Sequence, residues 1–281
     1  MTVCTERLFP EVVAFADELT AIRRDIHAHP EAGFETQRTV ALIVDYLKSW
    51  GVEAIDTDFL KGAVIAQIQG KQPGHTIALR ADIDCLPMND CSENVWKSQN
   101  EGLAHACGHD GHCTWLLGVG RYLAQTRNFP GKVVLVFQPA EELGKGARTL
   151  VEAGLIEKFG IEEIYGGHTE PNLPIGTIGF KPGPLQAASD SFYITVSGKG
   201  THGGRPHLGV DPIPVISQIA LALQTVVARK VDPMQTCVLS ICSMYAGRFE
   251  TTNVVPHFAT MSGTVRTFLP TIQDMVQANI E

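Results

Sequence analysis

Strand-like apolar runs alternate with helix-like segments along the first part of this 281-residue chain. Residues 133–137 (VVLVF) form the continuous apolar run of a buried strand, whereas residues 36–50 carry apolar side chains at helical spacing. Further strands are predicted at residues 63–68, 76–81 and 161–165, with helical segments between them. This alternation favours an α/β domain with three layers, in which helices cover both faces of a largely parallel sheet.

The pattern changes after Gly183-Pro184, where the order of elements becomes strand, helix, strand, strand, helix. These elements are predicted at residues 192–196, 212–229, 238–244 and 259–268, and after Pro270. The order is most of a ferredoxin-like unit with two layers, although one strand is missing when the sequence reaches Glu281. We therefore predict two domains, residues 1–184 and residues 185–281, of which the second is incomplete.

Composition and charge exclude several classes of protein. The chain has 30 acidic against 22 basic residues, and no basic patch indicates a nucleic-acid partner. Seven scattered cysteines do not form a spaced disulfide framework, which favours a reducing compartment. No apolar run approaches membrane-spanning length, and a start that includes Glu6 and Glu11 does not resemble a signal peptide. We expect a cytoplasmic protein without a membrane partner.

The segment 105–112 (HACGHDGH) places one thiol, three imidazoles and one carboxylate within a short stretch. Cys107 and His109 are two residues apart, so an extended backbone would direct both side chains to one side. A thiolate and an imidazole placed in this way can bind one zinc-like cation or bridge two metals. A polar loop around a buried, inert cysteine is the alternative interpretation of this segment alone.

Two further groups of metal-binding residue types follow apolar runs. Glu141 and Glu142 come after the strand at 133–137, and adjacent carboxylates at a strand end point in different directions. One of them can bind a metal while the other acts as a general base. His168 follows two glycines after another short strand. A helix N-terminus and a loop histidine are the alternatives, but sites in α/β sheets gather at the carboxyl ends of strands.

A set of short motifs extends this pattern over nearly the whole chain. They are residues 27–31 (HAHPE), 79–84 (LRADID), 107–112 (CGHDGH), 137–142 (FQPAEE), 166–168 (GGH), 198–202 (GKGTH), 206–207 (PH), 209–212 (GVDP), 253–256 (NVVP) and 263–268 (GTVRTF). In order and spacing they resemble the amidohydrolase branch of the aminoacylase/carboxypeptidase dinuclear metallopeptidase family. That branch includes hippurate hydrolases, N-acyl amino acid amidohydrolases and indoleacetyl-amino acid hydrolases.

The resemblance implies a three-layer αβα metallopeptidase catalytic domain with an inserted ferredoxin-like dimerisation (lid) domain. It also implies up to two divalent metals per complete subunit, manganese or zinc, with cobalt and nickel as further candidates. Cys107 would bridge the metals, and His109 and His168 would complete the first. Glu142 would bind the second metal, and Glu141 would be the general base. The family has a further metal-binding histidine that no residue here matches, so the resemblance implies a chain truncated at its C-terminus.

Three residues of the second predicted domain match substrate-binding positions of the family. His202 matches a histidine that reaches the active site of the dimer partner and binds the oxyanion. Asn253 and Arg266 match positions that bind the carbonyl or carboxylate of the substrate. An exposed loop histidine, a turn asparagine and a surface arginine are the alternatives. Asp82 and Asp84 follow a strand and are expected to orient a ligand histidine.

The function predicted from these residues is metal-dependent cleavage of N-acyl amino acids, such as hippurate, to a carboxylic acid and an amino acid. We expect a homodimer or a higher homo-oligomer that acts on this small-molecule substrate. A dipeptidase or carboxypeptidase that uses the same centre is one alternative, and a non-catalytic truncated relative is another. A Cys107 nucleophile with His109 as its base is disfavoured, because it leaves the glutamate pair without a role.

Overall fold

The structure is a computed structural model that describes residues 9–281. Cys4, Glu6 and the start of the predicted first domain lie outside the described residues. The described chain divides into two compact units, with the division between Ile178 and Gly179. The sequence pattern places this division slightly later, between residues 184 and 185.

Helices and strands alternate through the first unit. In chain order they are α1 (Pro10–Val13), α2 (Ala16–Ala28), α3 (Gln37–Ser49), β1 (Ala54–Asp56), β2 (Val64–Gln69), β3 (Gln72–Asp82), α4 (His109–Thr126), β4 (Pro130–Gln138), α5 (Gly146–Glu152), α6 (Leu155–Phe159) and β5 (Glu163–Gly166). The continuous apolar run that predicts a buried strand at 133–137 is the centre of β4, whose residues are almost all buried.

The sheet of the first unit has the strand order β1-β2-β4-β3-β5. β3 pairs in parallel with β4 and β5, but β2 is antiparallel to both β1 and β4. The α/β class is therefore confirmed, and four of the five strands run in one direction as expected, but β2 runs opposite to them. The reason is the link between β2 and β3, which consists of residues 70–71. Such a short link cannot hold a crossover helix, so β3 runs opposite to β2.

Helices cover both faces of this sheet. On one face, α2, α3 and α4 bury Ile22, Ile43 and Leu117 against strand residues that include Leu135 and Phe137. On the other face, the buried side chains are Leu150, Leu155 and Phe159 of α5 and α6, together with Ile65, Val134 and Val136 of the sheet. Complete burial of one such side chain contributes about 1.5–3 kcal/mol, so these two cores hold the strand ends in place.

The second unit has a sheet of three antiparallel strands in the order β6-β10-β8. Its elements are β6 (Ala188–Ser197), β7 (Thr201–His202), a 3₁₀ turn (Pro206–Leu208), α7 (Pro212–Lys230), β8 (Cys237–Ala246), β9 (Val254–Val255), β10 (Phe258–Thr267) and α8 (Pro270–Ile280). Ile216, Leu223 and Val276 of the two helices are buried in one core with residues from all three strands. β7 and β9 form a separate short ribbon.

α7 overturns one expectation from composition. Its 19 residues are long and apolar enough to cross a membrane by those criteria, although no such segment was expected. In the structure, Ile216, Leu223 and Val226 of α7 are buried in the core of the second unit. A core helix of a globular domain meets the same criteria, so α7 carries no inference about a membrane.

Candidate metal centre

The predicted site residues of the first unit lie at the ends of three strands and at the start of one helix. Asp82 is the last residue of β3, and Glu141 and Glu142 lie in the turn after β4. His168 follows the end of β5, while α4 begins at His109. Because β3 is parallel to both β4 and β5, the carboxyl ends of these strands lie at the same edge of the sheet.

A turn, not an extended backbone, directs Cys107 and His109 to one place. Gly108 between them has a φ of +84°, and the helix starts directly after it. A Cβ atom at Gly108 would lie 2.6 Å from Oγ1 of Thr169, so glycine is required for conformation and for space. The expected extended geometry is wrong, although the ligand atoms of Cys107 and His109 do lie within 4.8 Å of each other.

Backbone carbonyl groups orient two of the histidine rings. Nδ1 of His109 lies 2.9 Å from the carbonyl oxygen of Asp84, and Nδ1 of His168 lies 2.7 Å from that of Thr169. A carbonyl oxygen only accepts, so each Nδ1 carries a proton, and each Nε2 is the ring nitrogen left to bind a metal. Nε2 of His168 lies 3.4 Å from Sγ of Cys107. Histidines that bind metals commonly donate their other N–H in this way.

Several buried polar atoms at this edge have no hydrogen-bond partner among the described residues, including Nε2 of His109 and Oε1 of Glu142. These two atoms are 3.8 Å apart, and Nε2 lies 3.9 Å from Oε2 of Glu141. Ligand atoms bound to one tetrahedral metal at about 2.0–2.3 Å would be about 3.3–3.8 Å apart. The residues therefore fit a metal ion, which would also remove the cost of leaving buried polar atoms unpaired.

Three overlapping groups of side chains have ligand atoms close enough to hold such an ion, and Asp82, His109 and His112 form one of them. The ligand atoms of Cys107, His109 and His168 all lie within 4.8 Å of one another, as do those of His109, Glu141 and Glu142. The structure thus brings together the four residues predicted as metal ligands and the predicted base. That these residues bind metal stays a prediction.

Negative charge and burial weaken the acidity of two of these groups. Burial, together with the neighbouring carboxylates of Glu142, Glu141 and Asp82, raises the pKa of the Cys107 thiol to about 12. Burial also raises the pKa of Glu142 and, together with the charges of Glu141 and Asp84, outweighs the opposing effect of His109. Without a cation the thiol is protonated and a poor nucleophile, which argues against the alternative in which Cys107 attacks the substrate.

Asp84 connects the glutamate turn to a histidine ring. Its fully buried carboxylate accepts hydrogen bonds from the backbone N–H groups of Glu141 at 3.0 Å and Glu142 at 3.2 Å. Its carbonyl oxygen accepts from His109, as described above. Asp84 therefore hydrogen-bonds the expected ligand histidine through its backbone carbonyl, and its carboxylate, whose Oδ1 is 3.7 Å from Nδ1 of His109, holds the glutamate turn.

Asp82 lies beside two histidines and one arginine. Its Oδ1 is 2.5 Å from Nδ1 of His112, and its Oδ2 is 2.9 Å from Nη1 of Arg80 and 3.7 Å from Nε2 of His109. Burial raises the pKa of this carboxyl, but the hydrogen bond from His112 and the charges of Arg80 and His109 outweigh burial. The pKa is about 2, so Asp82 is a carboxylate at neutral pH.

Ala140, directly before the glutamate pair, has a strained backbone that the sequence does not reveal. Its φ of +56° lies in the left-handed region, which costs a residue other than glycine about 1–2 kcal/mol. Two backbone hydrogen bonds of 3.0 Å hold this conformation, one from its N–H to the carbonyl of Gly33 and one to its carbonyl from the N–H of Gly146. The chain thereby turns sharply between β4 and the two glutamates.

The remaining predicted site residues lie in the second unit. His202 is in β7, and its Nδ1 accepts a hydrogen bond of 3.0 Å from the N–H of Gly204. The carbonyl oxygen of Asn253 accepts from the N–H of Gly203 at 2.7 Å, so Asn253 lies beside the His202 loop. Arg266 is exposed on β10. Their roles in substrate binding stay predictions.

Comparison with known proteins identifies relatives over most of the chain. The model of peptidase family M20/M25/M40 matches residues 78–275. An N-acetylcysteine deacetylase of Bacillus subtilis is 44% identical over 256 residues, which are 91% of this chain and 66% of the relative. A protein named thermostable carboxypeptidase 2, from Saccharolobus solfataricus, is 39% identical over 264 residues, with 93% and 66% covered. The chain thus spans about two thirds of the length of these curated relatives.

A solved structure supports the same assignment. A dinuclear metal-binding peptidase from the M20 family of Bacillus subtilis superposes with a TM-score of 0.75 at 38% sequence identity. The match covers 95% of this chain and 68% of that one. The resemblance read from the motifs is therefore confirmed, and the chain belongs to peptidase family M20/M25/M40.

Proposed function

We propose that this protein is a metal-dependent amidohydrolase that cleaves N-acyl amino acids to a carboxylic acid and a free amino acid. The observation that carries the proposal is the convergence of unpaired buried ligand atoms, Nε2 of His109 and Oε1 of Glu142, beside Cys107 and His168. The substrate class is supported by the 44% identical relative, whose name describes removal of an acetyl group from an N-acylated amino acid.

In this proposal Cys107, His109 and His168 would hold the first metal, and Glu142, together with Cys107, would hold a second. A bound divalent metal lowers the pKa of a coordinated water toward about 7 and polarises the amide carbonyl. Thiolate and imidazole donors favour zinc, and the carboxylate of Glu142 also suits manganese, so we propose zinc or manganese as the physiological metal. The orientation of His109 and His168 by backbone carbonyls prepares both Nε2 atoms for this role.

Glu141 is the general base of the proposed reaction. Its side chain is 41% exposed, compared with 17% for Glu142, so Glu141 reaches solvent while Glu142 faces the buried side of the site. Glu141 accepts a proton from the attacking water and then transfers it to the leaving nitrogen, which departs as a free amine. The hydrogen bonds to Asp84 hold the turn so that the two adjacent carboxylates keep these separate roles.

The second unit supplies the proposed substrate contacts. By resemblance to the family, His202 binds the oxyanion in the site of a dimer partner, and Asn253 and Arg266 bind the carbonyl or carboxylate of the substrate. The protein would then act as a homodimer.

Hydrolysis of a matched substrate panel tests the proposal. The chain is loaded with zinc or manganese and assayed with N-acetyl amino acids, hippurate and dipeptides that have a free amino group. Release of the amino acid from the N-acylated substrates, lost with a chelator and restored by metal, is the expected result. A metal-loaded protein that cleaves none of these compounds would contradict the proposal.

A carboxypeptidase or dipeptidase is the second candidate function. It is favoured by the relative named thermostable carboxypeptidase 2, which is 39% identical to this chain. Both reactions cleave an amide bond next to a free carboxylate and can use the same centre. Preference for unblocked dipeptides in the same panel would support this second function, whereas a chain without bound metal would support a non-catalytic relative.

A further inference from the structure

His112 has no role in the motif analysis, yet both of its ring nitrogens are engaged. It lies on the first turn of α4 and is 1% exposed. Nδ1 is 2.5 Å from Oδ1 of Asp82, and Nε2 is 2.9 Å from the backbone nitrogen of Thr169. A backbone N–H only donates, so Nε2 accepts and is unprotonated, while Nδ1 carries the proton and donates to Asp82. Neither ring nitrogen is free to bind a metal in this arrangement.

Thr169 in turn contacts two proposed metal ligands. Its Oγ1 lies 3.3 Å from the carbonyl oxygen of Cys107 and 3.2 Å from Nε2 of His112, and its own carbonyl accepts from Nδ1 of His168 at 2.7 Å. The rings of His112 and His168 also pack edge to face, with centroids 4.5 Å apart. Hydrogen bonds therefore run from Asp82, at the end of β3, through His112 and Thr169 to Cys107 and His168.

Residues 167–170, which follow β5 and carry His168, are mostly exposed. Only Thr169 among them is not exposed. An exposed segment with little packing opens locally at low free-energy cost, so the bond from Thr169 to His112 has a large share in fixing this part of the chain.

We propose that His112 is a positioning residue for the metal ligand His168, because it holds Thr169 so that Nε2 of His168 faces Sγ of Cys107. This inference rests on the proposed metal centre. Residues that orient metal ligands through hydrogen bonds typically contribute about 10- to 100-fold to metal affinity, which sets the size of the expected effect.

Two substitutions separate the two hydrogen bonds of His112. His112→Asn places an amide N–H where Nδ1 lies, so it can donate to Asp82 but leaves the N–H of Thr169 without an acceptor. His112→Gln places an amide oxygen where Nε2 lies, so it can accept from Thr169 but loses the bond to Asp82. If His112 acts by holding Thr169, Gln preserves its function and Asn does not.

Binding of Co²⁺ to the 281-residue chain is the measurement, followed by thiolate-to-cobalt absorption and by calorimetry. We expect His112→Asn to weaken binding by about 10- to 100-fold and His112→Gln to stay within about threefold of the wild type. Melting temperatures of the metal-free variants show whether they fold equally well. The difference in Co²⁺ affinity should remain when the two variants have the same melting temperature. Equal affinity of the two variants, or weaker binding by the Gln variant, would overturn the inference.

The wild-type chain provides two further checks. If it binds no Co²⁺, the proposed metal centre is contradicted and the inference with it. If the wild type binds Co²⁺ and the two variants bind it with equal affinity, the inference alone is contradicted. The tautomer of His112 can be read by ¹H–¹⁵N correlation spectra of the metal-free wild type, without any substitution. We expect a protonated Nδ1 and an unprotonated Nε2, and a protonated Nε2 would contradict the hydrogen bond from Thr169.

Discussion

At the scale of single residues, substitutions of the two adjacent glutamates are expected to have different effects. Glu141→Gln cannot accept the proton of the attacking water, so we expect turnover to fall by about 10²–10⁴-fold while metal content is unchanged. Glu142→Gln removes the charge of a proposed ligand whose side chain is 17% exposed, and it should lower metal occupancy first. Metal analysis and kcat on the same preparations check both outcomes. Equal loss of metal in the two variants would show that the roles are assigned wrongly.

His27 should make stability depend on pH. Its Nδ1 lies 2.8 Å from Oδ2 of Asp110, and this hydrogen bond raises the pKa of His27 against the opposing effect of burial. A raised pKa in the folded state stabilises the protein fully below the unfolded pKa of about 6.5 and loses that effect as pH rises through the folded value. His27→Gln should therefore cost more free energy of unfolding at pH 5.5 than at pH 8.5, as measured by urea denaturation. The reverse order would exclude this ion pair as the cause.

At the scale of elements, local sequence patterns predict where helices and strands lie better than they predict the backbone geometry of the turns between them. Apolar spacing alone predicts the helix at 212–229 and the strand at 133–137, and the structure extends these to Pro212–Lys230 and Pro130–Gln138. The left-handed backbone of Ala140 leaves no such pattern, because it is stabilised by hydrogen bonds to the distant Gly33 and to Gly146. The sequence contains one indication of the role of His112, since its position three residues after His109 puts both side chains on one face of a helix.

The turn that starts α4 can be tested with a pair of glycines. Gly108 and Gly102 both have positive φ, +84° and +77°, but a Cβ atom meets Thr169 at 2.6 Å only at Gly108 and nothing within 4 Å at Gly102. Gly102→Ala should cost about 1–2 kcal/mol of stability through backbone strain alone. Gly108→Ala should cost more and should also weaken metal binding, because it displaces Thr169. Chemical denaturation measures the loss of stability and Co²⁺ titration the loss of metal affinity. Equal losses in the two variants would show that the contact between position 108 and Thr169 is unimportant.

At the scale of the whole molecule, the sequence motifs predict the α/β class and the residues that gather at one edge of the sheet. They do not predict the strand directions, because pairing is decided by contacts between distant segments. The two-residue link at 70–71 reverses β3 relative to β2 and produces a mixed sheet. The strands that end at the candidate site, β3, β4 and β5, are nevertheless mutually parallel. The site could therefore be predicted even though the direction of β2 could not.

Metal binding should stabilise the first unit selectively, since Cys107, His109, Glu142 and His168 all lie in it. An ion that binds only the folded state at 100 times its Kd adds about 2.7 kcal/mol of stability. Hydrogen exchange measured with and without zinc should show increased protection at residues 105–112, 139–146 and 166–170. Cys107→Ser is the matched control, because it retains size and polarity but removes the thiolate, and its protection should not respond to zinc. Zinc-dependent protection confined to the second unit would place the metal elsewhere.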